Sequence, residues 1–376
     1  MSDTTLYRKY RPKNFDEVRG QNIIVNTLRN EIINNQISHA YLFCGPRGTG
    51  KTSIAKIFSK TVNCTNPVNG NPCGQCECCN LYENQLNIDI IEIDAASNNG
   101  VDSMRDLITE SKYMPQYGKY KVYIIDEVHM LSNSAFNALL KTLEEPTGNV
   151  IFILATTELH KVPKTIVSRC QKFNFKLIDN NTLVQAITDI LVKENIAWDV
   201  QAVNYIAKVS KGGLRDALSL LGQCIAADNK ITIETAKELS GELDEDEFNL
   251  IIKYITNSNT QNLLNIISDM NDKGRQFERI ADSLYDYYRE LCSHSDDIIN
   301  NKYIEVLGDL KEKLRYASEK YSIFEVAMIK LCSLKNEMDY NTVCNRLSSI
   351  ENILSNGSSV NKNNTITFPV FHCINT

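Results

Sequence analysis

Gly45-Pro46-Arg47-Gly48-Thr49-Gly50-Lys51-Thr52 follows the apolar run Ala40 to Cys44 and opens a segment in which Ile54, Ala55, Ile57, Phe58 and Val62 recur at helical spacing. The pattern G-x-x-x-x-G-K-[ST] between a strand and a helix suits the phosphates of a nucleoside triphosphate. Glycines let backbone N–H groups wrap the phosphate oxygens, Lys51 reaches the β and γ oxygens, and the Thr52 hydroxyl ligates Mg²⁺. That metal needs a second carboxylate at the end of a neighbouring buried strand, and Lys121-Val122-Tyr123-Ile124-Ile125-Asp126-Glu127 has this form. Asp126 then holds the metal's water shell. Glu127 is placed to polarise the attacking water as general base, which separates a hydrolase from a nucleotide binder. Alone, an acidic pair after a strand reads as an exposed turn; with the phosphate loop upstream it reads as half of one site.

A second chemistry lies between these motifs. Cys64, Cys73, Cys76 and Cys79 have the spacing C-x8-C-x2-C-x2-C, with Pro72 and Gly74 supplying a turn that folds the thiols onto one centre. Four thiolates so arranged suit a closed, structural, tetrahedral zinc site with no position left for a catalytic water. Cys78 competes with Cys79 for the fourth place, and an iron–sulfur cluster is the alternative occupant.

Thr156 and Thr157 close the apolar run Ile151 to Ala155. A hydroxyl at such a strand end fits a sensor of γ-phosphate. Thr156 is the preferred of the two, the choice depending on strand register.

These groups require a scaffold. Short apolar runs at 40–44, 88–93, 122–125, 150–155 and 173–177 alternate with helical patterns, as in a parallel α/β sheet. From Asp179 onward the strand-like runs stop, and Leu183, Ile187, Ile190 and Leu191, then Phe248, Ile251, Ile252 and Ile255, then Phe277, Ile280, Leu284 and Tyr287, take helical spacing. Gly212-Gly213 punctuates a first helical group, and the acidic stretch Gly241 to Glu247 separates it from a second. Positions 356–376 are polar with a short apolar run at Phe368 to Phe371, and read as a flexible tail.

At 376 residues, 43% apolar and 23% charged, the chain has room for two or three domains of ordinary globular composition. No stretch approaches the ~18 consecutive apolar residues of a membrane span, and Met-Ser-Asp-Thr-Thr lacks the apolar core of a signal peptide. Most of the twelve cysteines are therefore expected as reduced thiols and metal ligands in a cytoplasmic protein. A net charge of −6 gives no global sign of nucleic-acid binding, so any DNA contact needs a local positive surface assembled by several subunits.

The phosphate loop, the Asp126-Glu127 strand and the cysteine insert in one chain closely resemble the gamma/tau family of bacterial DNA polymerase III, the ATP-driven motors of the sliding-clamp loader. Three further segments carry the resemblance: Tyr7-Arg8-Lys9-Tyr10-Arg11-Pro12 with Phe15 and Val18, Ser168-Arg169-Cys170, and Gly212-Gly213-Leu214-Arg215-Asp216-Ala217. It covers about 1–355. What it implies is an AAA+ P-loop ATPase: a nucleotide domain at 1–178 with a zinc insert at 64–79, a helical lid at 179–241 and an all-α collar at 242–355.

The resemblance also implies roles. Tyr7, Arg11 and Val18 pack around the adenine while Gly45 to Thr52 hold the phosphates. Arg169 reaches the ATP of an adjacent subunit, where an arginine on the developing γ-phosphate charge contributes roughly 10³ to 10⁵ in rate. Arg215 acts in cis and reports γ-phosphate to the lid. The implied partners are other copies of the chain, delta and delta-prime type subunits, the sliding clamp and primer-template DNA; the implied cofactors are ATP, Mg²⁺ and Zn²⁺. For DNA, Arg105 is the main cation after the neutral loop Ala95 to Gly100, so backbone N–H groups at a helix start would carry part of the phosphate contact. Because the chain ends soon after the collar, it resembles the shorter gamma-like form or a truncated product, and the longer form's helicase- and polymerase-binding roles are not assigned to it. Two other readings belong to different classes: an inactive stator-type subunit like delta-prime, and a related AAA+ branch-migration motor.

Overall fold

The computed structural model describes residues 5–334 except positions 85, 147, 229, 242, 244 and 295–297, together with 347, 348 and 350. Ala40-Tyr41-Leu42-Phe43-Cys44 carries no charge on either side of its alternation, as a strand covered on both faces requires, and forms β1 (Ala40–Cys44). It lies between β4 (Val150–Thr156) and β5 (Gln171–Asn174), with β3 (Lys121–Asp126) and then β2 (Ile90–Asp94) beyond β4. All the pairings are parallel, and the sheet order is β2-β3-β4-β1-β5.

Alternation sends Tyr41, Phe43, Ile124, Ile153 and Phe173 to one face and Leu42, Tyr123, Ile125, Phe152 and Leu154 to the other. α1 (Leu6–Lys9) precedes the sheet. α2 (Asn22–Ile33) and α3 (Lys51–Val62) cover the first face through Leu28, Ile54 and Phe58. Next in the chain is α4 (Glu77–Glu83), within the cysteine insert. α5 (Val101–Glu110) and α6 (Asn133–Glu144) cover the second face through Met104, Leu107, Phe136 and Leu139. Truncating any of these fully buried side chains to alanine costs about 2–5 kcal/mol, so both faces contribute to holding the sheet.

β5 starts and ends earlier than the expected 173–177 run. Its last rung is Phe175 N–H to the Cys44 carbonyl at 2.7 Å, after which the chain leaves the sheet. α7 (Lys164–Val167) leads into β5. The stretch expected as the lid folds into α8 (Asn180–Glu194), α9 (Val200–Val209), α10 (Leu214–Ala227) and α11 (Ile233–Ser240), around Leu183, Ile187, Ile206, Leu221 and Cys224. Leu6, Tyr7 and Tyr10 pack against this same core. One expectation fails here: strands do not stop at Asp179, because β6 (Ala197–Trp198) and β7 (Lys230–Ile231) form a small parallel pair. Two residues per strand are too few to produce a period in the sequence.

The chain divides into two compact units, Met1–Ser240 and Gly241–Thr376. In the second, α12 (Glu245–Thr256), α13 (Thr260–Asp272), α14 (Phe277–His294), α15 (Ile298–Tyr316) and α16 (Lys320–Ser333) enclose Ile251, Leu263, Ile280, Leu284, Leu307 and Phe324. The expected tail 356–376 lies outside the described residues, as does 335–346 of the expected collar. Among the described residues, no helix is long and apolar enough to cross a membrane.

Candidate active site

The loop after β1 and the ends of β3 and β4 open at the same, carboxyl-terminal edge of the sheet, where open α/β sheets bind ligands. Gly45 has φ +149°, and a Cβ there would lie 2.4 Å from the Phe175 carbonyl oxygen, so no side chain fits where the loop passes β5. Gly48 has φ +76° and packs against Gly213 of the lid, while Leu214 N–H donates to the Gly48 carbonyl at 3.2 Å. At Gly48 the phosphate loop and the segment Gly213-Leu214 therefore meet backbone to backbone.

Lys51 begins α3 with 7% of its surface exposed, and its Nζ donates to the Gly45 and Pro46 carbonyls, both at 2.9 Å. Burial lowers its pKa, opposed by the charges of Glu127 and Asp126. Thr52 Oγ1 donates to Asp126 Oδ2 at 2.7 Å, which joins the two groups read from sequence as Mg²⁺ ligands. The hydroxyl and the carboxylate are hard oxygen donors of the kind Mg²⁺ takes, so this pair fits the ion.

Glu127 sits at φ 48°, ψ 45°, left-handed for a non-glycine residue. Its Oε2 accepts from Thr157 twice, from the N–H at 3.2 Å and the hydroxyl at 2.9 Å. The expectation for the strand end was Thr156. Instead Thr156 is fully buried, its hydroxyl 3.0 Å from His129 Nδ1 and accepting the Glu158 N–H at 3.0 Å. Adjacent side chains at a strand end point opposite ways, and it is Thr157 that faces the carboxylate.

Lys51, Thr52, Asp126 and Glu127 border a cavity of about 380 Å³, lined also by Tyr7, Arg11, Val18, Arg47 and Arg215. Arg215 opens α10 with its guanidinium carbon 5.0 Å from the centre of the Tyr7 ring. Gln21, buried, fixes the amino-terminal segment to this edge: its Nε2 donates to the Lys176 carbonyl at 2.7 Å and lies 3.4 Å from the Thr49 carbonyl.

Two expected site residues lie elsewhere. Arg169 does not line the cavity; it follows α7 and bonds Glu144 and the Thr165 carbonyl. Arg105 is exposed on α5 and paired with Asp102 at 3.2 Å, on a helix that also carries Asp106 and Glu110.

The Sγ atoms of Cys64, Cys73, Cys76 and Cys79 all lie within 4.8 Å of one another. Zn–S bonds of about 2.3 Å put tetrahedral sulfurs about 3.8 Å apart, so the set fits one zinc ion and is too tight to enclose a multi-iron cluster. The Cys73 N–H donates to Cys64 Sγ and the Cys76 N–H to Cys73 Sγ, each at 3.3 Å. Burial raises the Cys76 thiol, but hydrogen bonds from the Thr65 and Cys79 backbone outweigh it and hold the group at about 6. Cys78 turns away, donating to the Tyr117 carbonyl at 3.2 Å, which decides between it and Cys79. Asn71 of this insert accepts the Phe15 N–H at 2.9 Å and donates to Asp16 at 2.7 Å, tying the insert to the amino-terminal segment.

Sequence reasoning missed Gln21, His129, Glu144, Thr157's contact with Glu127, and Glu158. None of these stands at a spacing that marks it; His129, two residues after Glu127, is the nearest of them in sequence to the Asp126-Glu127 pair.

A family model described as DNA polymerase III, delta subunit, matches residues 20–179, and one described as DNA polymerase III clamp loader subunit, ATPase lid domain, matches 182–230. The DNA polymerase III subunit tau of Bacillus subtilis is 39% identical over 90% of this chain and 64% of its own length. The DNA polymerase III subunit tau/gamma of Haemophilus influenzae is 44% identical over 76% of this chain but 40% of its own length, so the chain spans under two thirds of these relatives. The DNA polymerase III subunit gamma of Buchnera aphidicola subsp. Baizongia pistaciae is 42% identical over 73% of this chain and 75% of its own length. Among solved structures, the Thermotoga maritima RuvB Holliday junction branch migration motor aligns with a TM-score of 0.47 at 21% identity, over 65% of this chain and 79% of that one. By its sequence relatives and its matched lid domain, this chain belongs to the gamma/tau family of DNA polymerase III clamp-loader subunits.

Proposed function

We propose that this chain is an ATP-driven motor subunit of the DNA polymerase III clamp loader, hydrolysing ATP to place a ring-shaped sliding clamp on primed DNA. The observation that carries this reading is the convergence of Lys51, Thr52, Asp126 and Glu127 on one lid-covered cavity. A stator-type subunit has no need of that set.

The triphosphate replaces the Gly45 and Pro46 carbonyls as partner of the Lys51 ammonium, and backbone N–H groups of the loop and of the first turn of α3 meet its oxygens. Thr52 and Asp126 would hold Mg²⁺, which neutralises phosphate charge when bound. Glu127 takes a proton from water as its oxygen attacks the γ-phosphorus, and the bond to the β–γ bridging oxygen breaks to leave ADP. Arg215 stabilises the γ-phosphate in cis and Arg169 that of a neighbouring subunit. Tyr7, Arg11 and Val18 form the adenine end. Cys64, Cys73, Cys76 and Cys79 would hold one zinc as a structural centre that fastens the insert beside the amino-terminal segment.

The partners in this reading are other copies of the chain, delta and delta-prime type subunits, the clamp and primer-template DNA, in the cytoplasm. DNA contact through α5 rests on its amino-terminal N–H groups, because Arg105 is outnumbered there by carboxylates. The test combines the protein with clamp and partner subunits and follows ATP hydrolysis with and without primed DNA. Stimulation requiring both is expected; hydrolysis indifferent to clamp and primer would refute the clamp-loading reading.

A further inference from the structure

We propose that His129 is a positioning residue that aims the Glu127 carboxylate by clasping the loop after β3 to the turn after β4. The inference rests on reading Glu127 as the general base.

The two segments are joined in both directions. Glu127 Oε2 on the first accepts the N–H and hydroxyl of Thr157 on the second, at 3.2 and 2.9 Å. His129, two residues later, reaches across to two groups of that same turn: Nδ1 lies 3.0 Å from Thr156 Oγ1 and Nε2 lies 3.2 Å from Glu158 Oε2. One tautomer of the ring is compatible with both contacts to the turn. Thr156 Oγ1 accepts the Glu158 N–H, which leaves its own proton to donate to Nδ1, and the ring proton on Nε2 is then donated to Glu158.

The imidazole is 8% exposed, so water does not readily replace these partners. Its Nδ1 is also 3.4 Å from Glu127 Oε2, making the ring one wall of the carboxylate's seat. Glu127 itself is partly open to the cavity, and its left-handed backbone fixes the Cα but not the side chain. Thr157 holds the carboxylate only as firmly as the turn is held, and His129 holds the turn. A base displaced by about 1 Å can lose on the order of 10² in rate.

The test uses the full chain with His129→Leu, His129→Gln and Glu127→Gln, singly and combined, reading nucleotide affinity and single-turnover hydrolysis. His129→Leu is expected to slow hydrolysis about tenfold with nucleotide Kd within about twofold. His129→Gln, whose amide still donates toward Glu158, keeps at least about a third of the rate. In the Glu127→Gln background His129→Leu costs nothing further, because the group it aims is gone. Equal loss in both backgrounds, an affinity loss that matches the rate loss, or no loss would overturn the inference. Undiminished hydrolysis by Glu127→Gln itself would remove the general-base reading and this inference with it. Should the leucine variant not fold, His129→Asn, which withdraws the Nε2 donor, takes its place in the cycle.

Discussion

Arg169 and Glu144 form an ion pair, Nη2 to Oε1 at 2.6 Å, that joins the short link between α7 and β5 to the last residue of α6. The other guanidinium nitrogen, Nη1, donates to the Thr165 carbonyl at 2.7 Å. Both contacts lie outside the cavity lined by Lys51 and Glu127. They restrain the arginine within its own chain, and under the proposed function an arginine so held would lose less entropy on reaching a neighbour's phosphate.

Arg169→Ala should bind ATP within about twofold of the unaltered chain yet lose at least about a hundredfold of the turnover stimulated by clamp and primed DNA. Mixed with Lys51→Ala protein, which keeps its arginine, it should regain partial activity at interfaces pairing the two intact halves. An unchanged stimulated rate, or no recovery in an assembly shown to be mixed, would leave the arginine an ordinary surface charge.

Lys51→Ala and Glu127→Gln should fail differently. The first removes the ammonium that meets the phosphates and should weaken nucleotide binding at least about tenfold; the second should hold ATP and slow hydrolysis by about 10² or more. Titration with a fluorescent nucleotide alongside phosphate release separates them, and matching affinity losses would contradict the division of labour.

Metal analysis of the purified chain should find one zinc per molecule. Cys64→Ser and Cys79→Ser should release it and lower the unfolding temperature, whereas Cys78→Ser, whose sulfur faces the Tyr117 carbonyl, should retain it. Less than about half an equivalent, or an iron chromophore, would refute the assignment.

Stability should fall on the acid side partly through Glu83. Its carboxyl is held below the usual range by the hydrogen bond from Lys60, against an opposing push from burial. A carboxylate depressed in the folded state contributes its stability fully above the ordinary glutamate value of about 4.3, and loses it as pH falls through the lower folded value. Glu83→Gln should therefore melt lower than the unaltered chain at pH 7, with the gap closing below about pH 4. Since Glu83 is nearly half exposed, salt should shrink the gap; a gap constant from pH 7 to pH 3 would refute the linkage.

The sheet and the phosphate loop were legible because each follows from a local pattern. Ala40 to Cys44 is apolar on both faces, and the glycines and Lys51 stand at fixed offsets beyond it. Asp126 and Glu127 were readable for the same reason, and Thr52 meets Asp126 in the structure. The orientation of Thr156 against Thr157 was not readable, because it depends on His129 and Glu158, one on a different loop and neither in any spacing that marks it. Glu144 was missed for a related reason: nothing on α6 signals that its last residue meets an arginine 25 positions later. The β6–β7 pair escaped because two residues make no pattern.

Glu127 holds a left-handed backbone conformation that L-residues other than glycine enter at a cost of about 1 kcal/mol or more. Replacing it by glycine or by alanine removes the carboxylate equally, so the two variants differ in how the chain accepts that turn, set against the greater entropy glycine loses on folding. Glu127→Gly should melt above Glu127→Ala, and an inverted order would show that the strain of the turn is smaller than that entropy. Under the proposed function the most durable version of the chain at this position and its most active version would be different molecules, Glu127 being the residue that hydrolysis would select.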